Sequence, residues 1–293
     1  MFASEIDKFA NKTYQANFET DSHLLGDITT FPEEDIPNHD VLLAGFPCQP
    51  FSLAGLANKN FHKRAHGFRC NKQGTLFFDI ARIIAEKRPK AFVLENVKNL
   101  VSHNAGRTFK VMMQILEHDL EYQVYYKVIN AKYWVLQNRE RLIIIGFREP
   151  VDFSWGDIVI PDSRRTMSDI LLPEHEVDPK YTLTDRMWAW LLEHKARQAA
   201  KGNRFTHGLV DANSLYTRTL TAHYSSEILV TQRNGANPRK LTPRECARLM
   251  GFDDDFIIPV SDTQAYRQFG NSVVIPMVKA IAEAVRPHIE AME

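Results

Sequence analysis

Cys48 stands between Pro47 and Pro50, directly after the apolar run VLLAGF. A thiol on a turn stiffened by two prolines is presented in one geometry, which suits a nucleophile. The plain alternative for a lone cysteine is a small buried hydrophobe. Two more apolar runs carry polar groups at their ends. AFVLENV closes on Glu95 and Asn96. A carboxyl at the tip of an apolar strand is desolvated, so its pKa rises and it can hold or deliver a proton near neutral pH. VLQNRERLIIIGF sets Gln137, Arg139 and Arg141 just ahead of another run. The two arginines are two apart, so in an extended chain they point the same way. Taken singly these groups read as caps or solvated charges. Together they bring a thiol, an acid and two cations to the rims of adjacent strands.

The elements that must position them are legible from hydrophobic period. DVLLAGF (40–46), AFVLENV (91–97), YQVYYKVI (122–129) and RLIIIGF (141–147) read as buried or half-buried strands. Between them, GTLFFDIARIIAEKRP places Leu76, Ile80, Ile83 and Ile84 on one helix face that stops before Pro89, and RTFKVMMQILEHDL behaves likewise. This alternation predicts an α/β domain with a mostly parallel sheet, in which chemistry gathers beyond the carboxyl ends of the strands. From about 150 to 240 the chain turns polar, with one clear helix in TLTDRMWAWLLEHKARQAAKG (182–202). Regular character returns at TPRECARLMGF and in PMVKAIAEAVRPHIEAM. Trp188 and Trp190 fall on different faces of the first of these helices, which favours core packing over base stacking for at least one of them.

The 293 residues carry 36 basic and 36 acidic side chains, a formal net charge of zero. Any nucleic-acid surface must therefore come from local clusters. Two are visible. Ser52 to Phe78 holds no acid but contains Lys59, Lys63, Arg64, Arg69 and Lys72, and HKARQAAKGNRFTHG (194–208) also lacks acids. The cysteines Cys48, Cys70 and Cys246 are odd in number, far apart and without a CxxC spacing, which argues against disulfides or a metal site and for a reducing compartment. Cys246 is expected to be buried and Cys70 to be a loop thiol. The apolar runs are too short to cross a bilayer. A cytoplasmic monomer that does not engage membranes is expected.

GFPCQPFS, ENV, QNRER, LTPRECARLMGF and QAYRQFGNSVV occur in the order found in bacterial cytosine-C5 DNA methyltransferases, and the resemblance spans essentially the whole chain. Within that family AGFPCQPFSLAG, RAHGF, QGTLFFDIARII, FVLENVKNL and YTLT look like the branch that modifies CCWGG-type sites. The resemblance implies a Rossmann-like sheet that uses S-adenosylmethionine, a smaller irregular target-recognition domain, and double-stranded DNA as partner. It divides the chain into a catalytic domain (1–167), a recognition domain (168–243), a hinge (244–270) and a C-terminal helix returning to the catalytic domain (271–293). It implies that Cys48 adds to C6 of a flipped cytosine, that Glu95 serves N3, that Arg141 contacts the base carbonyl, and that Arg139 holds the site and the thiolate. A neighbouring cation would also lower the Cys48 pKa. By the same resemblance Glu5, Ile6, Asp27, Ile28, Pro47, Asn271 and Ser272 hold the cofactor. Ser52, Lys59, Lys63, Arg64 and Arg69 would close on DNA, with Arg204, Arg218 and Arg233 as base or phosphate contacts.

The chain departs from the family at two places. It has no G-x-G turn, its first glycine being Gly26, and it opens on the family's second strand. A missing central first strand is therefore expected, with a polypeptide that supplies it as a further partner, or else a truncated, non-catalytic DNA-binding remnant. Where the CCWGG branch shows GNGFGYG, this chain has GNRFTHG. An RNA methyltransferase of the same fold is disfavoured by the sizeable segment between QNRER and LTPRE.

Overall fold

A computed structural model describes residues 2–18, 24–47, 76–162, 165–202, 208–224 and 227–292. The main sheet is built from four strands: β3 (Val41–Gly45), β4 (Ala91–Val97), β5 (Gln123–Asn130) and β6 (Glu140–Phe147), in the order β3-β4-β6-β5. Two shorter strands nearer the N-terminus, β1 (Ala3–Ser4) and β2 (Leu24–Leu25), form a separate parallel ladder, with α1 (Lys8–Asn17) between them.

Side-chain alternation sends the sheet's residues into two cores. Phe92, Leu94, Leu142 and Ile144 enter one, where they meet Phe77, Ile80, Ile83 and Ile84 of α2 (Leu76–Lys87) and Phe109, Met112 and Met113 of α3 (Arg107–Gln114). Ala91, Ile143, Ile145 and Phe147 enter the other. There they are covered by α5 (Pro243–Met250), α6 (Asp262–Asn271) and α7 (Ile275–Glu290), through residues such as Leu249, Phe269, Met277 and Ile281. A strand buried on both faces reads as a continuous apolar run, which is why β6 was conspicuous in the sequence.

The expectation of a mostly parallel sheet needs correction. β3 and β4 are parallel, but β4–β6 and β5–β6 are antiparallel. Only residues 131–139 join β5 to β6. A parallel crossover needs about a dozen residues or more, so this link can only return the chain beside its neighbour.

The irregular region holds the helix α4 (Asp185–Ala200) and a small sheet of β7 (Gly208–Val210), β8 (Ile228–Val230) and β9 (Arg239–Lys240). Trp188 packs with Leu183, Leu191 and Leu229, whereas Trp190 stays half exposed and stacks on His194 at 5.2 Å between ring centroids. Val210, Leu220, Tyr224, Ile228 and Val230 join the core beneath the C-terminal helices. No helix among the described residues is long and apolar enough to cross a membrane.

Candidate active site

The sheet brings three chain ends to one rim. Gly45, at the end of β3, is in register with Glu95 on β4, and Val97 is opposite Arg141 near the start of β6. Because β6 runs antiparallel, its first residues meet the carboxyl ends of β3 and β4. Glu95 shares its face with Ala91 and Val93, and Arg141 shares its face with Ile143 and Ile145. The two side chains thus meet diagonally across the ladder, Arg141 Nε donating to Glu95 Oε1 at 2.8 Å, with side-chain exposures of 14% and 21%.

Burial governs the electrostatics of the pair. Desolvation raises the Glu95 carboxyl above 4.5, opposed by the charges of Arg141 and Arg139 and by the Arg141 hydrogen bond. Desolvation likewise lowers Arg141, and Glu95 works against it. Glu95 Oε2 faces the end of β3, 3.8 Å from where a Cβ on Gly45 would stand. An acid with one oxygen held by a guanidinium and the other turned toward the segment leading to Cys48 is placed to hold a proton for a ring nitrogen.

Arg139 is positioned differently. It lies before β6 begins, is 1% exposed, and donates to the carbonyls of Leu220 (2.9 Å), Gly270 (3.0 Å) and Ser272 (2.8 Å). Burial and the like charge of Arg141 push its pKa down to about 10. Arg139 and Arg141 both act on Glu95 through charge, but only Arg141 bonds it, and Arg139 lies one residue before β6 begins.

Two polar residues matter more than their sequence context suggested. Asn96, almost fully buried, donates from Nδ2 to the Phe46 carbonyl at 2.7 Å and so fixes the chain immediately before Pro47. Gln137, fully buried, accepts the Leu220 amide on Oε1 at 2.8 Å and donates from Nε2 to Met250 Sδ at 3.1 Å. The available signal was an amide side chain inside or beside an otherwise apolar run, which demands a buried partner.

Of the seven residues expected at the cofactor, Glu5 and Ile6 follow β1, and Asp27 and Ile28 follow β2. Glu5 Oε1 accepts the Asp7 amide at 2.7 Å, and Asp27 Oδ1 accepts both the amide and the hydroxyl of Thr29. The Thr29 hydroxyl and amide hold Asp27 below the ordinary carboxylate value. The second oxygen of each carboxylate accepts no hydrogen bond among the described residues. Ile6, 72% exposed, and Ile28 flank them. Two carboxylates beside an exposed Ile6 and a half-buried Ile28, at matching ends of parallel strands, suit the hydroxyl and amine donors and the flat ring of an adenosyl group. Pro47 is exposed at the end of β3, and Asn271 is exposed at the end of α6. The Ser272 hydroxyl is engaged locally, donating to Phe269 O at 3.2 Å.

Cys48, Ser52, Lys59, Lys63, Arg64, Arg69, Cys70, Lys72 and Arg204 lie outside the described residues. Arg218 is exposed beside Gly208, and Arg233 is exposed with its backbone amide bound to Glu174. Cys246 is fully buried, and burial pushes its thiol well above the usual value.

Comparison with known proteins gives a consistent picture. The sequence profile of the C-5 cytosine-specific DNA methylase family matches residues 1–286. The type II methyltransferase M.SsoII of Shigella sonnei is 51% identical over 97% of this chain and 73% of its own length. A DNA-cytosine methyltransferase of Escherichia coli K12 is 44% identical over 99% of this chain and 73% of its own. The crystal structure of the S. pombe Dnmt2 methyltransferase superposes with a TM-score of 0.70 at 18% identity, covering 97% of this chain and 90% of that one, a likeness of fold.

Proposed function

The chain belongs to the C-5 cytosine-specific DNA methylase family, and from that membership we propose that it methylates C5 of a flipped-out cytosine through a covalent adduct between Cys48 and C6. As a DNA cytosine-C5 methyltransferase it uses S-adenosylmethionine, which supplies an electrophilic methyl group when bound; Glu5, Ile6, Asp27 and Ile28 would hold its adenosyl half. The observation that carries the reading is the Glu95–Arg141 pair at the rim where β3 leads toward Cys48.

In this reading the Cys48 thiolate forms the C–S bond at C6. The displaced ring electrons move toward C5, and Glu95 gives its proton to N3 so that the ring stays neutral. Arg141 donates to the base carbonyl and holds Glu95 in place. Asn96 keeps the Phe46 carbonyl, and with it the approach to Cys48, at a fixed height over the rim. Once C5 carries the methyl group, its proton leaves to solvent, the C5–C6 double bond re-forms as Cys48 departs as thiolate, and N3 returns its proton to the Glu95 carboxylate. Flipping is required because the reacting edge is otherwise stacked in the duplex. The target is the inner cytosine of CCWGG or a related site, on the strength of the segments shared with that branch. The acid-free strip from Ser52 to Phe78 and the exposed Arg218 and Arg233 would meet the DNA.

DNA carrying 5-fluorocytosine tests the chemistry, because it blocks the final proton loss. A covalent complex that forms with the native chain and disappears in Cys48→Ser is the expected result. Retained DNA binding with no covalent complex would favour a non-catalytic DNA-binding remnant instead.

One observation favours a divided form of the enzyme. The β1–β2 ladder and the four-stranded sheet are not joined by hydrogen bonds among the described residues. Among the described residues β3 pairs with β4 on one edge and with no strand on the other, and Val41 and Leu43 on one of its faces are 37% and 67% exposed. An open, apolar strand edge is a place for a further strand, here one from a partner polypeptide. In that form the chain alone binds S-adenosylmethionine poorly, and tight, stoichiometric binding by calorimetry would rule it out.

A further inference from the structure

The segment Thr217–Ala222 lies along the residues that lead into β6. Thr217 exchanges hydrogen bonds with Leu136 O and Asn138 N, at 2.8 and 3.0 Å, and the Thr219 hydroxyl donates to Asn138 O. The next residue is held more tightly. Leu220, fully buried, has its amide accepted by Gln137 Oε1 and its carbonyl bound by Arg139 Nη1. Arg139 reaches on to Gly270 O and Ser272 O at the end of α6. Gly270 itself approaches so closely that a Cβ there would stand 2.2 Å from the Thr221 carbonyl carbon and 2.3 Å from Ala222 N. Both main-chain groups of one residue are thus satisfied by two side chains, 81 and 83 positions away. Two residues beyond Arg139 stands Arg141, the partner of Glu95.

Arg139 therefore bonds no substrate-facing group among the described residues; its three hydrogen bonds go to backbone. Replacing either side chain would leave a buried main-chain group of Leu220 without a partner, which a folded chain avoids by moving. The part that can move is Thr217–Ala222, which carries the exposed Arg218 and follows the exposed Leu215 and Tyr216. That segment lies in the recognition region.

We propose that Gln137 and Arg139 are positioning residues, which set the recognition segment Thr217–Ala222 at a fixed distance from the catalytic Glu95–Arg141 pair by holding both main-chain groups of Leu220. Sequence reading and base chemistry are then kept in register through the Leu220 backbone. The inference rests on the methyltransferase reading above.

The test compares Gln137→Met, which keeps the shape and removes the acceptor, with Gln137→Glu, which keeps an acceptor. Amide exchange across 217–222 is measured in each full-length chain, alongside equilibrium binding to a duplex bearing the preferred site and to duplexes with single base-pair changes. Gln137→Met should speed exchange at Leu220 and lower the preference for the correct duplex by about tenfold, the size of one net hydrogen bond. Gln137→Glu should restore much of both. A purely structural role would lower the melting temperature and leave the preference unchanged. Faster exchange in Gln137→Met with undiminished preference would overturn the clamp alone. A native chain with no sequence preference at all would overturn the recognition reading and the clamp with it.

Discussion

The Glu95–Arg141 pair concentrates the acid chemistry in two side chains whose burial and charge oppose each other. Burial raises the Glu95 carboxyl and the guanidinium restrains the rise. Replacing Arg141 with Met removes that restraint, so the Glu95 ionisation moves further up. In the proposed mechanism protonated Glu95 is the donor, so turnover should fall as pH climbs through its pKa, and in Arg141→Met this falling limb should shift to higher pH. The sign for stability is the same. A carboxyl raised above 4.5 by folding costs stability as pH rises from that value through its folded value, and none below. The single-turnover rate will itself drop, by about a hundredfold or more if the base contact is lost with the charge. A pH–rate profile with an unmoved limb would show that the two groups are not coupled. Cys48, Glu95 and Arg141 were visible in the sequence as candidates because each sits where an apolar run starts or ends. The surroundings of Arg139 were not, since its three carbonyl partners lie 81 to 133 positions away and leave no local trace.

Among the elements, legibility followed length and local constraint. β4, β5 and β6 are seven or eight residues each and stand out as apolar runs. β1, β2 and β9 are two residues each, and their pairing comes from packing rather than from any period. The antiparallel direction of β6 was also present in the sequence, in the short link after Asn130, although composition alone suggested a parallel sheet. α5 illustrates the well-specified case. Thr242 and Glu245 form its capping box, and Glu245 also takes a two-point ion pair from the buried Arg239. It ends on Gly251 at φ +85°, in the left-handed region that favours glycine. A Cβ on Gly251 would also stand 2.3 Å from Cδ of Pro276 in the first turn of α7. Gly251→Ala therefore combines left-handed strain with a clash between two helices, and should destabilise the chain by about 2 kcal/mol or more. Denaturant titration should show a lower midpoint with the slope unchanged. An undiminished midpoint would mean that α5 and α7 separate freely.

At the level of the whole molecule, the core matters more than the division suggested by composition. The irregular region from 168 to 243 supplies Ile170, Val210, Leu220, Tyr224, Ile228, Val230 and Leu241 to the same buried cluster as Ile143, Ile145 and Phe147 of the sheet and Met277, Ile281 and Val285 of α7. Its separate cluster is small: Leu183, Leu191 and Leu229, with Trp188 against them. A region whose buried apolar side chains lie mostly in a neighbour's core has little stability apart from it. The irregular region and the main sheet should therefore unfold together, in a single transition by calorimetry and with coincident midpoints by far-ultraviolet dichroism and tryptophan fluorescence. The Gln137–Arg139 hold on Leu220 lies inside that shared core and strengthens the expectation. α4 is the part least bound by it, since Leu191 is its one buried residue, so its amides should exchange fastest without a melting step of their own. Two resolved transitions, with the Trp188 and Trp190 signal following only the first, would show that the recognition region folds independently, and that the shared cluster is a contact between two domains rather than one core.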